Sequence, residues 1–527
     1  MKNTKDNRMA SAAIIVMSSM VLSRFTGFIR ETLLSWKVGL SWVQDAYIAA
    51  FTVPDLIYVL LVGGTISAAL VPFLSGHLER GEEEEGWKAA SSFITTVVLG
   101  LAILSILGIV FAPQIIPAVA PGFAEKDPKV KELAIELSRI IFPSVSFIML
   151  AGICNGILNS YKRFALAAYG PSIYNLGCAA SIYIFADTDP QSMKKAAVGV
   201  AVSAFLYFAI QFSFSFSRYK FYKPVIRFRD TGFQKLIKQA VPSLMASSVT
   251  QVNVIISTAF VTLAAAEGGL SAFRNANTLW QLPYGIFAMG VGTAMLPTLS
   301  GKFATGGLDE YRNTLTRSLN SVLFVAVPSS MGFIILREQI VRAVFLWGGR
   351  FTESDVPAVA YILAFFSFSM ISQSVVAIIN RAFYALQDTK TPLFVGIGSI
   401  IMNVVLGSIF TFYTRLGAAG MALSYTIIST VNSIALIKLL NKKVNGIMME
   451  KFTEFLKRSV PSTIIMGIFL YMSEYVLPEA ATKTGQLLTL AAAIIAGALV
   501  YVIIMLIMRS EEAIYFYKKF LGRFYGK

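Results

Sequence analysis

One histidine, His77, and two cysteines, Cys154 and Cys178, are all the soft metal ligands that 527 residues provide. Zinc and most other catalytic metal centres draw on several imidazole or thiolate groups, so a site of that kind is excluded. Two cysteines in apolar stretches also make no disulfide framework. Charge is scarce too: 14% of residues are Asp, Glu, Lys or Arg against 56% hydrophobic, and the mean hydropathy is +0.67. Soluble domains carry about 25% charge, so the composition excludes a water-soluble globule. There is no GxxxxGK[ST] phosphate loop, which argues against ATP hydrolysis within the chain, and no cofactor is expected. The apolar run after MKNTKDNR is long and has no small-residue cleavage site, so it reads as a retained first helix.

What the chain has in quantity is membrane-length apolar sequence. A helix crosses a bilayer in roughly 20 apolar residues. By that measure the chain is an all-α polytopic membrane protein with about 14 transmembrane helices, from 10–37 and 44–76 at one end to 456–477 and 484–508 at the other. The net charge of +16 does not point to nucleic acid, because its distribution follows topology. With the N-terminus inside, about two thirds of the Lys and Arg fall in inward segments, most densely in SRYKFYKPVIRFRDTGFQKLIK, which predicts both termini cytoplasmic. Part of this excess also suits anionic headgroups.

The second span ends VPFLSGHLERG and the eighth LPTLSGKFATG. Pro72, Leu74, Ser75, Gly76 and Gly81 match Pro297, Leu299, Ser300, Gly301 and Gly306 at a constant offset of 225, as Asn155 matches Asn380. The copies stand six helices apart in chain order, an even offset, so both run the same way through the membrane. Parallel repeats build transporters of two lobes with a substrate site between them. The expected division is 1–220 for helices 1–6, 221–445 for helices 7–12, and 446–527 for helices 13 and 14 with a basic tail. The two six-helix lobes would surround a central cavity.

Within VLSRFTGFIRE the first span carries Arg24, Arg30 and Glu31. An Arg at mid-membrane costs roughly 2.5–3.5 kcal/mol unless it meets water or a partner. Arg24, Gly27 and Glu31 share one helix face, and Arg30 is turned about 120° away. Glu31, Asp45 and Asp55 are candidate salt-bridge partners for Arg24, Arg30 and Arg274. The alternative is a hydrated cavity in which guanidinium groups bind an anion, for which their planar forks suit phosphate oxygens. The sign of these charges favours an anionic cargo, such as a lipid-linked phosphate, over a cationic drug. Glu136 and Arg139, three apart on one helix, are expected to pair with each other. Asn253 and Asn403 are candidate ligands for a coupling cation.

SSMVLSRFTGFIRE, QDAYIAAFTVPDLI, SAALVPFLSG, LPYGIFAMGVGTAMLPTLS and RAFYALQDTKTP, in this order and spacing, together resemble the MurJ (MviN) family of lipid II flippases. The resemblance covers helices 1 to 12. It implies the multidrug/oligosaccharidyl-lipid/polysaccharide exporter fold and a non-enzymatic activity: moving the undecaprenyl-diphosphate-linked peptidoglycan precursor from the inner to the outer leaflet by alternating access. Another polyprenyl-diphosphate-linked glycan, such as a teichoic acid or exopolysaccharide unit, is the alternative cargo. The resemblance implies Arg24 and Arg30 as contacts of the diphosphate and its sugars, with Glu31 in place of the usual Asp, and matches Asp45 to the family's DAF-like motif; Arg24, Arg30, Arg274, Glu31 and Asp45 are the candidate substrate-binding residues. Three departures accompany it. Tyr58 stands where the family has an arginine, Gly63 where it has an acid, and Thr278 where it has a second arginine, with Arg274 one turn earlier. Asp55, Tyr58 and Thr278 are therefore candidate cavity or gate positions. Lipid II, membrane lipids and cell-wall synthesis proteins are the expected partners.

Overall fold

The computed structural model describes residues 2–60, 66, 69–446, 448–476 and 482–520. Gly63 and the last seven residues of the tail lie outside the described residues. No β-strand occurs among those described. Nine helices in this set are long and apolar enough to cross a membrane.

The chain forms two compact units, residues 1–271 and 272–527. The first contains α1 (Lys2–Val38), α2 (Trp42–Tyr58), α3 (Val71–Glu79), α4 (Glu83–Val119), α5 (Pro121–Lys126), α6 (Pro128–Ser160), α7 (Phe164–Ala168), α8 (Gly170–Phe185), α9 (Pro190–Ser215) and α10 (Thr231–Ala264), and ends at the first residues of α11 (Gly269–Ala304). The second continues α11 and adds α12 (Leu308–Ile335), α13 (Arg337–Phe345), α14 (Val356–Ala385), α15 (Lys390–Phe412), α16 (Ala418–Lys443), α17 (Met449–Val476), α18 (Lys483–Ile507) and α19 (Glu511–Phe520).

Helix ends carry the repeat further than the PxLSG motifs do. The span 128–160 returns 225 residues later as 353–385, α4 starts at 83 and α12 at 308, and α3 ends at 79 and α11 at 304. The first pair are also the two most buried spans. In the first unit α6 is the central post, packed on α9, α2 and α4, and in the second α14 packs on α16 and α12. Small residues allow that closeness: a Cβ on Gly156 would stand 2.6 Å from Ile66, and one on Gly108 2.2 Å from the Phe142 ring.

Capping punctuates the helices as the sequence invites. α1 stops at Gly39, whose positive φ of 68° suits a residue without Cβ. Ser41 then accepts from the Gln44 N–H at 3.3 Å to start α2. His77 sits against Phe73, its Nδ1 2.9 Å from the Phe73 carbonyl, and both cysteines are buried and free. One expected pairing is different in the structure. Glu136 meets Lys194 of α9 at 2.6 Å, while Arg139 donates through Nε to the Ile109 carbonyl at 3.3 Å. The helix-to-helix partners lie closer than the same-helix one, because α6 is surrounded on several sides.

Candidate functional site

Six residues separate Arg24 from Arg30, which on a helix is about 9 Å of rise. The two arginines have different surroundings. Arg24 is exposed and makes no ion pair or hydrogen bond among the described residues. Arg30 is half-buried, its side chain 22% exposed. Its Nη2 donates to Glu31 Oε1 at 2.7 Å and its Nη1 to Asn175 Oδ1 at 3.4 Å. Of the candidate partners it is therefore Glu31 that holds Arg30. Asp55 of α2 and Tyr174 and Cys178 of α8 are within its electrostatic reach.

Asn175 ties this arrangement together. Its Nδ2 donates to the Ser23 carbonyl at 3.2 Å while its Oδ1 accepts from Arg30. Gly27 lies between those two contacts on α1, and a Cβ there would stand 3.4 Å from Asn175 Nδ2. The glycine of SRFTGFIRE thus leaves room for α8 to lay an amide along α1. Asn175 was not singled out from the sequence, where a lone amide inside GPSIYNLGCAASIYIF was the only signal. Tyr58 belongs to a neighbouring layer, packed against Ile148, Ala151, Ala204 and Tyr207.

Asp45 is not arranged as a free anion or a salt-bridge partner. It is buried, at 3% exposure. Its Oδ2 accepts from the Gly268 N–H at 2.9 Å, and its Oδ1 accepts from the Ser271 N–H at 2.8 Å and the Ser271 hydroxyl at 2.6 Å. It is an N-terminal cap for α11 supplied from another helix, in the place where a carboxylate complements the helix dipole. The preceding turn is held from its other side by Lys126, whose ammonium donates to the Leu263 and Ala265 carbonyls at the end of α10. Trp42 N–H also donates to Glu267 at 3.3 Å, a pair of residues equivalent in the repeat. α5 sits directly on this corner, since a Cβ at Gly122 would stand 2.0 Å from the Thr262 carbonyl oxygen.

In the second unit Arg274 is half-buried, and the Thr278 hydroxyl donates to the Arg274 carbonyl at 3.0 Å. Asn403 is buried and accepts from Ser424 at 3.4 Å, whereas Asn253, in the first unit, donates to its own helix at Val249, 3.2 Å away. The RAFYALQDTKTP block is a helix corner. Asp388 accepts from the N–H groups of Lys390 and Thr391 at 3.1 and 3.0 Å and from the Thr391 hydroxyl at 2.6 Å, and it pairs with Lys443 at the end of α16. Upstream, Arg381 runs past Gly292, where a Cβ would stand 2.5 Å from its Nε.

Burial alone would push the Asp388 carboxyl up, but Lys443 and the Thr391 donors outweigh it and hold the group at about 2. An unfolded aspartate titrates near ~3.9. The folded value is the lower one, so the corner is fully stabilised above about pH 4 and loses that contribution as the pH falls toward 2. In thermal unfolding followed against pH, the gap between wild type and Asp388→Asn should be widest near neutrality and close on acidification. A gap that widened in acid would contradict this.

A family model described as "Lipid II flippase MurJ" matches residues 35–490. The "Lipid II flippase MurJ" of Burkholderia cenocepacia is 30% identical over 82% of this chain and 84% of its own. A Vibrio cholerae protein named "Probable lipid II flippase MurJ" is 24% identical over 96% of this chain and 97% of its own. Among solved structures, "Lipid II flippase MurJ, inward closed conformation" aligns with a TM-score of 0.79 at 26% identity, covering 96% of this chain and all of that one. An inward-facing MATE family transporter of the MOP superfamily shares the fold alone, with a TM-score of 0.65 at 16% identity over 82% of this chain and 98% of its own.

Proposed function

Because this chain belongs to the lipid II flippase MurJ family, we propose that it moves lipid II from the inner to the outer leaflet of the cytoplasmic membrane, with Arg24 and Arg30 taking the diphosphate. It is a multi-pass membrane transporter and not an enzyme. The observation that carries the site is the contrast along α1: an exposed Arg24 without a partner among the described residues, followed by an Arg30 already oriented by Glu31 and Asn175. A guanidinium prepositioned in a fork loses little freedom when it grips two phosphate oxygens. Arg24 is suited to first capture and Arg30 to the deeper hold, giving an anionic headgroup two stations about 9 Å apart along one helix.

In this reading Glu31 and Asn175 orient Arg30, and Asp45 shapes the α10–α11 turn without touching substrate. Arg274 is a further cationic position, and Asn253 and Asn403 are the polar groups we assign to cation coupling. Both termini face the cytoplasm, following the bias of Lys and Arg among the loops. The family match favours lipid II over another polyprenyl-diphosphate glycan.

The test is complementation of a bacterium depleted of its own lipid II flippase. Expression of this chain should restore growth and lipid II accessible at the outer leaflet. A well-expressed, membrane-inserted chain that restores neither would reject the reading.

A further inference from the structure

The link between α9 and α10 is built and not slack. After α9 a single turn of 3-10 helix, Phe216–Arg218, leads into an extended strap that ends at Asp230, whose carboxylate accepts from the Phe233 N–H at 2.8 Å to cap α10. The strap is pinned along α4. The Lys223 N–H donates to Ser91 Oγ at 3.2 Å, the Arg227 N–H donates to Ser92 Oγ at 2.8 Å, and the Tyr222 hydroxyl lies 3.1 Å from Thr95 Oγ1. The rings of Tyr219 and Tyr222 pack against buried Trp87 at 5.6 and 6.4 Å.

With its tyrosines turned inward, the strap presents a different set of side chains outward. Phe216 is 66% exposed, Phe228 60%, Ile226 45% and Phe221 36%. Interleaved with them are exposed Lys220, Lys223, Arg227 and Arg229. The only carboxylate from 216 to 230 is Asp230, already engaged as the α10 cap. Large apolar groups held outward in a row are costly in water and mark a surface that meets something else.

Two observations identify what that is. The strap starts where α9, a helix long and apolar enough to cross a membrane, ends, so it follows directly on the end of a membrane span. Its apolar row also continues the outward row of α9, where exposed Phe212 packs its ring 5.6 Å from that of Phe216. Aromatic rings with interspersed cations match the boundary between acyl chains and anionic headgroups.

We propose that the 216–230 strap is an interfacial anchor for anionic phospholipid: its phenylalanines and Ile226 enter the headgroup boundary, and Lys220, Lys223, Arg227 and Arg229 engage lipid phosphates. Its pins to Ser91, Ser92 and Thr95 and its cap on the start of α10 couple lipid charge to two helices of the first unit. This surface is separate from the α1 arginines, so it stands or falls independently of the transport site.

The test uses the full chain carrying Ile226→Cys with a nitroxide label; the native cysteines are buried. The protein is reconstituted in phosphatidylcholine vesicles with or without roughly 30% phosphatidylglycerol, an anionic surface in the physiological range. Power saturation compares access of oxygen with that of a water-soluble nickel chelate. The expected result is a severalfold shift toward oxygen with phosphatidylglycerol. The shift should be abolished when Lys220, Lys223, Arg227 and Arg229 are all changed to Gln in a protein that still elutes as one species and melts at the wild-type temperature. A label equally open to nickel in both membranes would overturn the proposal and leave a water-borne acidic partner as the occupant. A label buried in both membranes and indifferent to the four cations would overturn the lipid-charge requirement.

Discussion

Arg30→Ala is expected to lower delivery of lipid II to the outer leaflet by about 100-fold while leaving a folded, membrane-inserted chain. Truncating one member of a hydrogen-bonded buried charge pair typically costs about 2–5 kcal/mol. Arg30 is half-buried and keeps some solvent, which argues for the lower part of that range, and tenfold in binding corresponds to about 1.4 kcal/mol. Arg30→Lys keeps the charge and loses the planar fork, so an intermediate loss of about tenfold is expected. Arg24→Ala removes a side chain with no ion pair among the described residues. It should leave thermal stability at the wild-type value and affect transport alone. The measurement is outer-leaflet lipid II in the complemented strain, normalised to membrane-inserted protein. Transport by Arg30→Ala within threefold of wild type would remove Arg30 from the site.

Asp45→Ala should be the most destabilising single change at the α1–α2 corner, by about 3–5 kcal/mol. The carboxylate receives three hydrogen bonds from Gly268 and Ser271 in a buried setting. Bonds to a charged group contribute about 1.5–3 kcal/mol each, and removing the acceptor leaves buried N–H donors without partners. Asp45→Asn retains one carbonyl oxygen but turns an NH2 toward one of those donors, so it should recover less than half of the loss. Thermal unfolding in detergent separates two roles. A substrate contact predicts lost transport at unchanged melting temperature, whereas a cap predicts a melting temperature lowered by several degrees in both variants. A destabilisation below about 1 kcal/mol for Asp45→Ala would falsify the capping role, being smaller than one charged hydrogen bond.

These two residues also show where reading from sequence reaches and where it stops. Arg24 and Arg30 stood out because lipid-length sequence makes an arginine conspicuous, and helical periodicity alone set their angular offset. Asp45 stood out for the same reason, yet its conspicuousness did not reveal its use. Its partners lie more than 220 residues away in the chain, and whether a buried carboxylate meets a guanidinium, a phosphate or a helix N-terminus depends on which segment folds against it. Glu136 shows the limit at shorter range, because an i,i+3 arginine was available and Lys194 of α9 is the closer partner. Asn175 marks the opposite case, a residue with nothing unusual in its local pattern that acquires its role by lying across from Gly27.

The sequence by itself determined that this is a helical membrane protein, that its halves repeat at 225 residues, and that an arginine pair lies on the first helix. Those conclusions follow from hydropathy, period and motif spacing, which are properties of the chain that need no partner. Only the tertiary structure decided that Glu31 and Asn175 orient Arg30, that Asp45 caps α11, and that the basic 216–230 segment is a pinned strap with its aromatics outward. The physical reason is common to all three: hydrogen bonds and ion pairs act over a few ångströms, so the meaning of a polar group among apolar helices is set by whichever distant helix is packed against it.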